Sequence, residues 1–164
     1  MKERLKHTII LFPLLCLLLG LEKDSLKNIL TDIQYEVTQN CGTEPPFKNE
    51  YWNNKEDGIY IDIITGVPLF SSLHKYNSGT GWPSFYDLID TSQIQYNSDF
   101  DLGYKRIEIK SLSSNGHLGH LFNDGPHPTG LRYCVNSASL EFIKYQDLDI
   151  RGYSDYKKFF NTVK

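Results

Sequence analysis

YKRIEIKSLSSNGHLGHLF, residues 104–122, reads as two strands joined by a tight turn. In its first half Arg106, Glu108 and Lys110 alternate with Ile107 and Ile109, the period-two pattern of a strand that lays one face on a core. Asn115 and Gly116 form the dipeptide best suited to a two-residue hairpin, and HLGHLF runs back from it. Upstream, the turn signal Asp57-Gly58 leads into IYIDII, where Ile59, Ile61 and Ile63 alternate with Tyr60, Asp62 and Ile64. Gly66 and Pro68 close that strand before PLFSS begins another. Downstream, Asp124-Gly125, Pro126 and Pro128 precede LRYCV, and SLEFI supplies a last strand. The chain therefore reads as mainly β, built from antiparallel hairpins.

Composition agrees with one modest domain. The 164 residues are 40% hydrophobic and 23% charged, and eleven Tyr, nine Phe and two Trp are broken into short segments by scattered Gly and Pro. That pattern disfavours a helical bundle. A net charge of −3 without a basic block gives no footprint for nucleic acid.

Short helices are expected at the periphery. Asp24 or Ser25 caps one in which Leu26, Ile29, Leu30 and Ile33 recur at helical spacing. The segment 35–47, YEVTQNCGTEPPF, ends in Pro45 and Pro46 and is read as non-helical, which places Cys41 in an accessible loop or extended stretch. The tail 151–164 is expected to be helical, following a main domain over 22–150. SGTGWPSF, residues 78–85, is a glycine-rich loop presenting Trp82 as either a pocket wall or a core plug.

The first residues differ from the rest. Lys2, Arg4 and Lys6 precede an apolar run over 8–21, broken only by Pro13 and Gly20. This is short for a membrane-spanning helix but suits a signal-peptide core. It reads as an export signal, directing the protein to the periplasm or cell envelope, with an uncleaved N-terminal anchor as the alternative. Cys16 lies within the run and lacks a small residue before it, so it reads as part of the apolar core rather than a lipid-modified residue.

Two cysteines remain, Cys41 and Cys134, and an exported chain can hold such a pair as a structural disulfide or use it for redox work. If LRYCV is a strand, Arg132, Cys134 and Asn136 share one face. A cation beside the sulfur, with imidazoles within reach, is expected to lower the thiol pKa and favour the thiolate. His117 and His120 would point to opposite faces of a regular strand. They act together only if Gly119 allows a bulge. A metal set of His117, His120, Asp124 and His127 matches no defensible ligand spacing, and no paired-cysteine motif exists. A serine-hydrolase elbow, G-x-S-x-G, is missing as well. A thiol hydrolase using Cys134, a histidine and Asn136 stays open, as does an exported β-rich binding module with a structural disulfide.

VTQNCGTEPPF, GIYIDIITGVPLFSS, SGTGWPSF, HLGHLFNDGP and LRYCVNSASLEFI together resemble the B-type methionine sulfoxide reductases, in order and spacing, from about Leu30 to Ile143. The resemblance implies two antiparallel sheets with short peripheral helices, the β-roll or tent of that family. It implies reduction of methionine R-sulfoxide in proteins, with Cys134 as nucleophile left as a sulfenic acid, and a proton supplied to the oxygen by His117 or His120. Arg132 and Asn136 fall on polar active-site positions, and Trp82 and Phe122 on the substrate-binding surface. A thioredoxin-like donor is the implied electron source. Many members carry a resolving cysteine where this chain has Thr80, so Cys41 is the expected substitute. Zinc-containing members carry cysteines where this chain has Asp62, Thr65, Ser111 and Ser114. With those thiols replaced, no zinc and no cofactor beyond an external thiol reductant are expected.

Overall fold

The computed structural model describes residues 25–161. The signal or anchor reading of 1–21, Cys16 with it, and the last three residues of the tail lie outside them. Among the described residues no helix is long and apolar enough to cross a membrane.

The strands are β1 (Gly58–Asp62), β2 (Pro68–Ser71), β3 (Lys75–Tyr76), β4 (Ser84–Phe85), β5 (Ile94–Asp99), β6 (Arg106–Ser111), β7 (His117–Phe122), β8 (Arg132–Val135) and β9 (Leu140–Lys144). They form a three-stranded sheet, β2-β1-β9, and a six-stranded sheet, β3-β4-β8-β7-β6-β5. Every pairing is antiparallel, as the hairpin pattern requires. Tyr60 and Phe70 of the small sheet meet Phe85, Ile109, Leu118, Tyr133 and Val135 of the large one in the central core. Phe70 and Phe85 stack at 4.4 Å between ring centroids, and Tyr60 meets Phe85 edge-on at 5.0 Å. Each such ring removes a large apolar area from water, about 1.5–3 kcal/mol per fully buried side chain.

The alternation read in IYIDII has a second use. While Tyr60 faces the central core, Ile59 and Ile61 face the other way and form a second cluster with Ile143 and Leu148. The tail covers it with Tyr153, Tyr156 and Phe160, which pack on this outer face beside Tyr145. That tail has a 3-10 turn at Ser154–Lys157 and a single helical turn at Lys158–Asn161.

Three local readings need correction. Residues 25–29 are helical, but Thr31 is extended and starts a second helix, α1 (Asp32–Asn40), through a capping box with Gln34. Ile29 and Ile33 stay solvent-exposed, so the apolar spacing there does not mark a buried stripe. Helix α1 also runs on through residues 35–40, because Pro45 and Pro46 lie beyond its end and bar a helix only where they stand. Cys41 is its C-cap, exposed and left-handed at φ 56°. Finally, β5 lies in a stretch read only as polar. Ile94 is its one buried residue, so it carries no strong alternation.

Candidate active site

Register assembles the site. Tyr76 of β3, Ser84 of β4, Cys134 of β8, His120 of β7, Glu108 of β6 and Asn97 of β5 are directly paired in series across all six strands of the large sheet. Directly opposed residues of an antiparallel pair point to the same face. One row of polar side chains thus crosses the sheet with the thiol in its middle.

The conditional bulge exists. Ile109 pairs with Gly119 but Lys110 pairs with His117, leaving Leu118 as the extra residue. It rotates His117 onto the face of His120, and their rings stand 5.5 Å apart, edge to face. Gly119 also lets β7 approach β8, since a Cβ there would lie 2.0 Å from the Cys134 carbonyl oxygen.

Cys134 opens on a cavity of about 120 Å³ lined by Thr43, Trp82, Arg106, Gly119, His120, Phe122, Cys134, Val135 and Asn136. Trp82 is a wall of this cavity, with its indole N–H donated to the Glu44 carbonyl at 2.9 Å. Phe122 forms another wall, under the Arg132 guanidinium at 4.2 Å from the ring centre. Asn136 lines the cavity while its amide holds the frame. Its Oδ1 accepts from the Glu44 N–H and its Nδ2 donates to the Leu118 carbonyl, both at 3.2 Å. The buried Glu44 carboxylate in turn accepts the backbone N–H groups of Ser137 and Ala138, tying the GTEPPF loop to the turn after Asn136. Burial pushes the Glu44 pKa up, against those hydrogen bonds.

The thiol itself departs from expectation. Arg132 does lower its pKa, as do the Thr80 and Ser84 hydroxyls, but burial is the largest influence and the net shift is upward. Desolvating a thiolate costs more here than one cation returns, partly because Arg132 is also committed to Asp124 through two hydrogen bonds, at 2.8 and 2.9 Å. Burial thus favours the protonated thiol over the thiolate at Cys134. Thr80 Oγ1 lies 3.9 Å from its sulfur and belongs to a hydroxyl chain with Ser78 and Ser84.

Each imidazole is held by a carboxylate that the sequence did not single out. His120 Nε2 is 2.7 Å from Asp99, which also pairs with Arg106 at 2.5 Å. The Asp99 carboxyl is held down to about 2, above all by the Asp101 backbone N–H; burial opposes this, and His120 and Arg106 each add a smaller lowering. His117 Nδ1 is 2.7 Å from Glu108 Oε1. Burial lowers the His117 pKa despite that carboxylate, so the resting ring is neutral. It donates Nδ1–H to Glu108, and its buried Nε2 finds no protein partner among the described residues.

Cys41 is not beside Cys134. Its thiol donates to Glu108 Oε1 at 3.5 Å, so one oxygen serves both Cys41 and His117. Glu108 sits two strands from Cys134 with His120 between, about 10 Å at the usual strand spacing. Cys41 lines a second cavity of about 350 Å³ that shares Thr43, Arg106 and His120 with the first. His127 is exposed and outside both cavities, and Asp124 is bound to Arg132. A separate polar cleft of about 320 Å³, around Trp52, Lys75 and Tyr76, has neither thiol nor imidazole in its lining.

The positions where zinc-containing members carry cysteines form a hydroxyl knot. Asp62 accepts from the Ile64 and Thr65 N–H groups and from Ser114 Oγ at 2.6 Å. Ser113 bridges Thr65 and Ser111 at 2.8 and 3.1 Å. One carboxylate with its lone pairs engaged, and hydroxyls in place of thiolates, do not suit zinc.

Comparison with known proteins agrees with this geometry. The SelR domain family model matches residues 30–144. The chain is 53% identical over 137 residues to the peptide methionine sulfoxide reductase MsrA/MsrB of Vibrio cholerae serotype O1, covering 84% of this chain and 36% of the relative. It thus spans about a third of that curated relative's length. The paired strands, the thiol and its imidazoles all fall within the matched span, and the chain belongs to the SelR-domain family, the B-type methionine sulfoxide reductases.

Proposed function

We propose that this chain is a peptide-methionine R-sulfoxide reductase that uses Cys134 to return oxidised methionine in proteins to methionine. The observation that carries the reading is the Cys134 thiol opening into a small cavity walled by Trp82 and Phe122, with His120 directly opposite across the strand pair. The aromatic walls offer an apolar seat for the substrate methyl group. The polar row offers protons to an oxygen that leaves sulfur poorly until protonated.

A buried, protonated thiol fits this chemistry. As Cys134 sulfur bonds to the sulfoxide sulfur, its proton and one from the imidazole side reach the oxygen, which leaves as water. A water then attacks the Cys134 sulfur, gives one proton back to the imidazole, and methionine departs with its lone pair restored. Cys134 is left as sulfenic acid, the first step of thiol oxidation. Cys41 then attacks that sulfur, forming a disulfide and releasing water, and a thioredoxin-like dithiol returns both to thiols. The left-handed C-cap at Cys41 supports this recycling role, because a non-glycine residue gains by leaving that conformation when the segment swings past His120.

The basic residues and apolar run at the N-terminus support export to the cell envelope, as a cleaved signal or an anchor. Mass spectrometry after one equivalent of a methionine R-sulfoxide peptide tests the cycle. The expected product is one methionine and a Cys41–Cys134 bond per chain; no release by wild-type protein, or equal release by Cys134→Ser, overturns the nucleophile assignment.

A further inference from the structure

We propose that Cys41, Glu108 and His117 form a binding site for a thiophilic divalent cation such as zinc, and that its occupation reversibly arrests the reductase. One ligand atom from each lies within 4.8 Å of the other two, a thiol sulfur, a carboxylate oxygen and an imidazole nitrogen. Zinc bonds of about 2.0–2.3 Å to the same three atom types place tetrahedral ligand atoms about 3–4 Å apart, so small side-chain adjustments suffice. The site has an entry path, because Cys41 is exposed and all three residues line the 350 Å³ cavity. Its depth is provided by His117, which is 2% exposed and held in the protein by one nitrogen only.

The neighbouring carboxylate shows why the site is confined here. Asp99 also holds an imidazole, but the Arg106 guanidinium already neutralises it at 2.5 Å and no thiol adjoins it. Among the described residues the cation paired with Glu108 is Lys110, at 3.9 Å, a loose pairing that a divalent ion can displace, while Oε2 accepts from Asn97 Nδ2 at 3.2 Å. In the cation-free protein, protons occupy the two positions on Glu108 Oε1, one from Cys41 and one from His117. Binding releases the Cys41 proton as sulfur becomes a thiolate ligand, and an ion held at His117 Nδ1 moves that ring's proton to Nε2. The hydroxyl knot at Asp62 is a different place with a different donor set.

The arrest, though not the binding, rests on Cys41 being the recycling thiol. A bound ion removes that thiol from reaction with Cys134 sulfenic acid and removes His117 from proton traffic. The test titrates the reduced full chain with Co²⁺ for a thiolate charge-transfer band and with Zn²⁺ against a chromophoric chelator. One equivalent is expected, with affinity lowered at least about tenfold in Cys41→Ser and Glu108→Gln, since even changes outside the ligand shell cost about 10–100-fold. Cys134→Ser should bind as the parent does. Parent-like binding by Cys41→Ser, or loss in Cys134→Ser alone, overturns the site. Binding as expected with recycling turnover unaffected by Zn²⁺ would leave the site standing and overturn the Cys41 recycling role instead.

Discussion

His120 is paired directly with Cys134 across β7 and β8, so the imidazole stands one strand from the thiol and between it and the Glu108–Cys41 contact. Under the proposed function the row would give the reaction an order: substrate chemistry at Cys134, protons from His120, and recycling only after Cys41 has crossed the space beside that ring.

Replacing His120 with Gln keeps a polar group at that place in the row and removes the imidazole. Positioned acid–base groups contribute about 10²–10⁴-fold, and a loss of that size is expected in single-turnover methionine release. A change below about threefold would mean that the proton comes from elsewhere, His117 first.

Recycling can be relocated. Cys41→Ser should release one methionine per enzyme and then stall with thioredoxin. Adding Thr80→Cys to that variant should restore repeated turnover, because Thr80 Oγ1 already lies 3.9 Å from Cys134 Sγ. Undiminished turnover of Cys41→Ser alone would instead show direct reduction of the sulfenic acid.

Alkylation of Cys134 should report its protonation. Burial raises the thiol pKa more than Arg132 lowers it, so the rate should climb with pH to a midpoint above that of an ordinary thiol. Arg132→Met should push the midpoint higher still. A midpoint below neutrality would mean that the charge of Arg132 dominates after all.

Gly119→Ala tests the close strand approach independently of catalysis. A methyl 2.0 Å from the Cys134 carbonyl oxygen forces β7 from β8, and overpacking of this kind costs about 1–3 kcal/mol or more. Urea unfolding should show a lower midpoint, and an unchanged midpoint would mean the strands part freely.

Acid should loosen the fold through His117. Its folded pKa is lowered, so the unfolded chain binds the proton first as pH falls below about 6.5. The folded state loses stability across the window from there down to the folded value, by at most about 1.4 kcal/mol per pH unit for one proton. His117→Gln should flatten that part of the stability profile; an unaltered slope would locate the effect in another group.

The strands with strong alternation were legible because each lays one face on a core, and Gly119 announced the bulge that unites the two histidines. Strand β5 was not, since it exposes most of both faces and buries Ile94 alone. Helix α1 hid because its start rests on the Thr31–Gln34 capping box, not on an apolar stripe. Sequence neighbours revealed the charge beside Cys134 but not its burial, which comes from other strands, so the sign of its pKa shift was misjudged. Glu108 and Asp99 went unnoticed for a similar reason. Their partners are chosen by register and by spatial proximity, which residue spacing does not disclose.

The hydroxyl knot joins the turn after β1 to the turn after β6 without a sulfur atom. Peroxides and hypohalous acids attack thiolates and spare alcohols and carboxylates. Under the proposed function, such a scaffold would stay intact in the same oxidant bursts that create the substrates, because hydroxyls and a carboxylate rather than metal-bound thiolates join those turns.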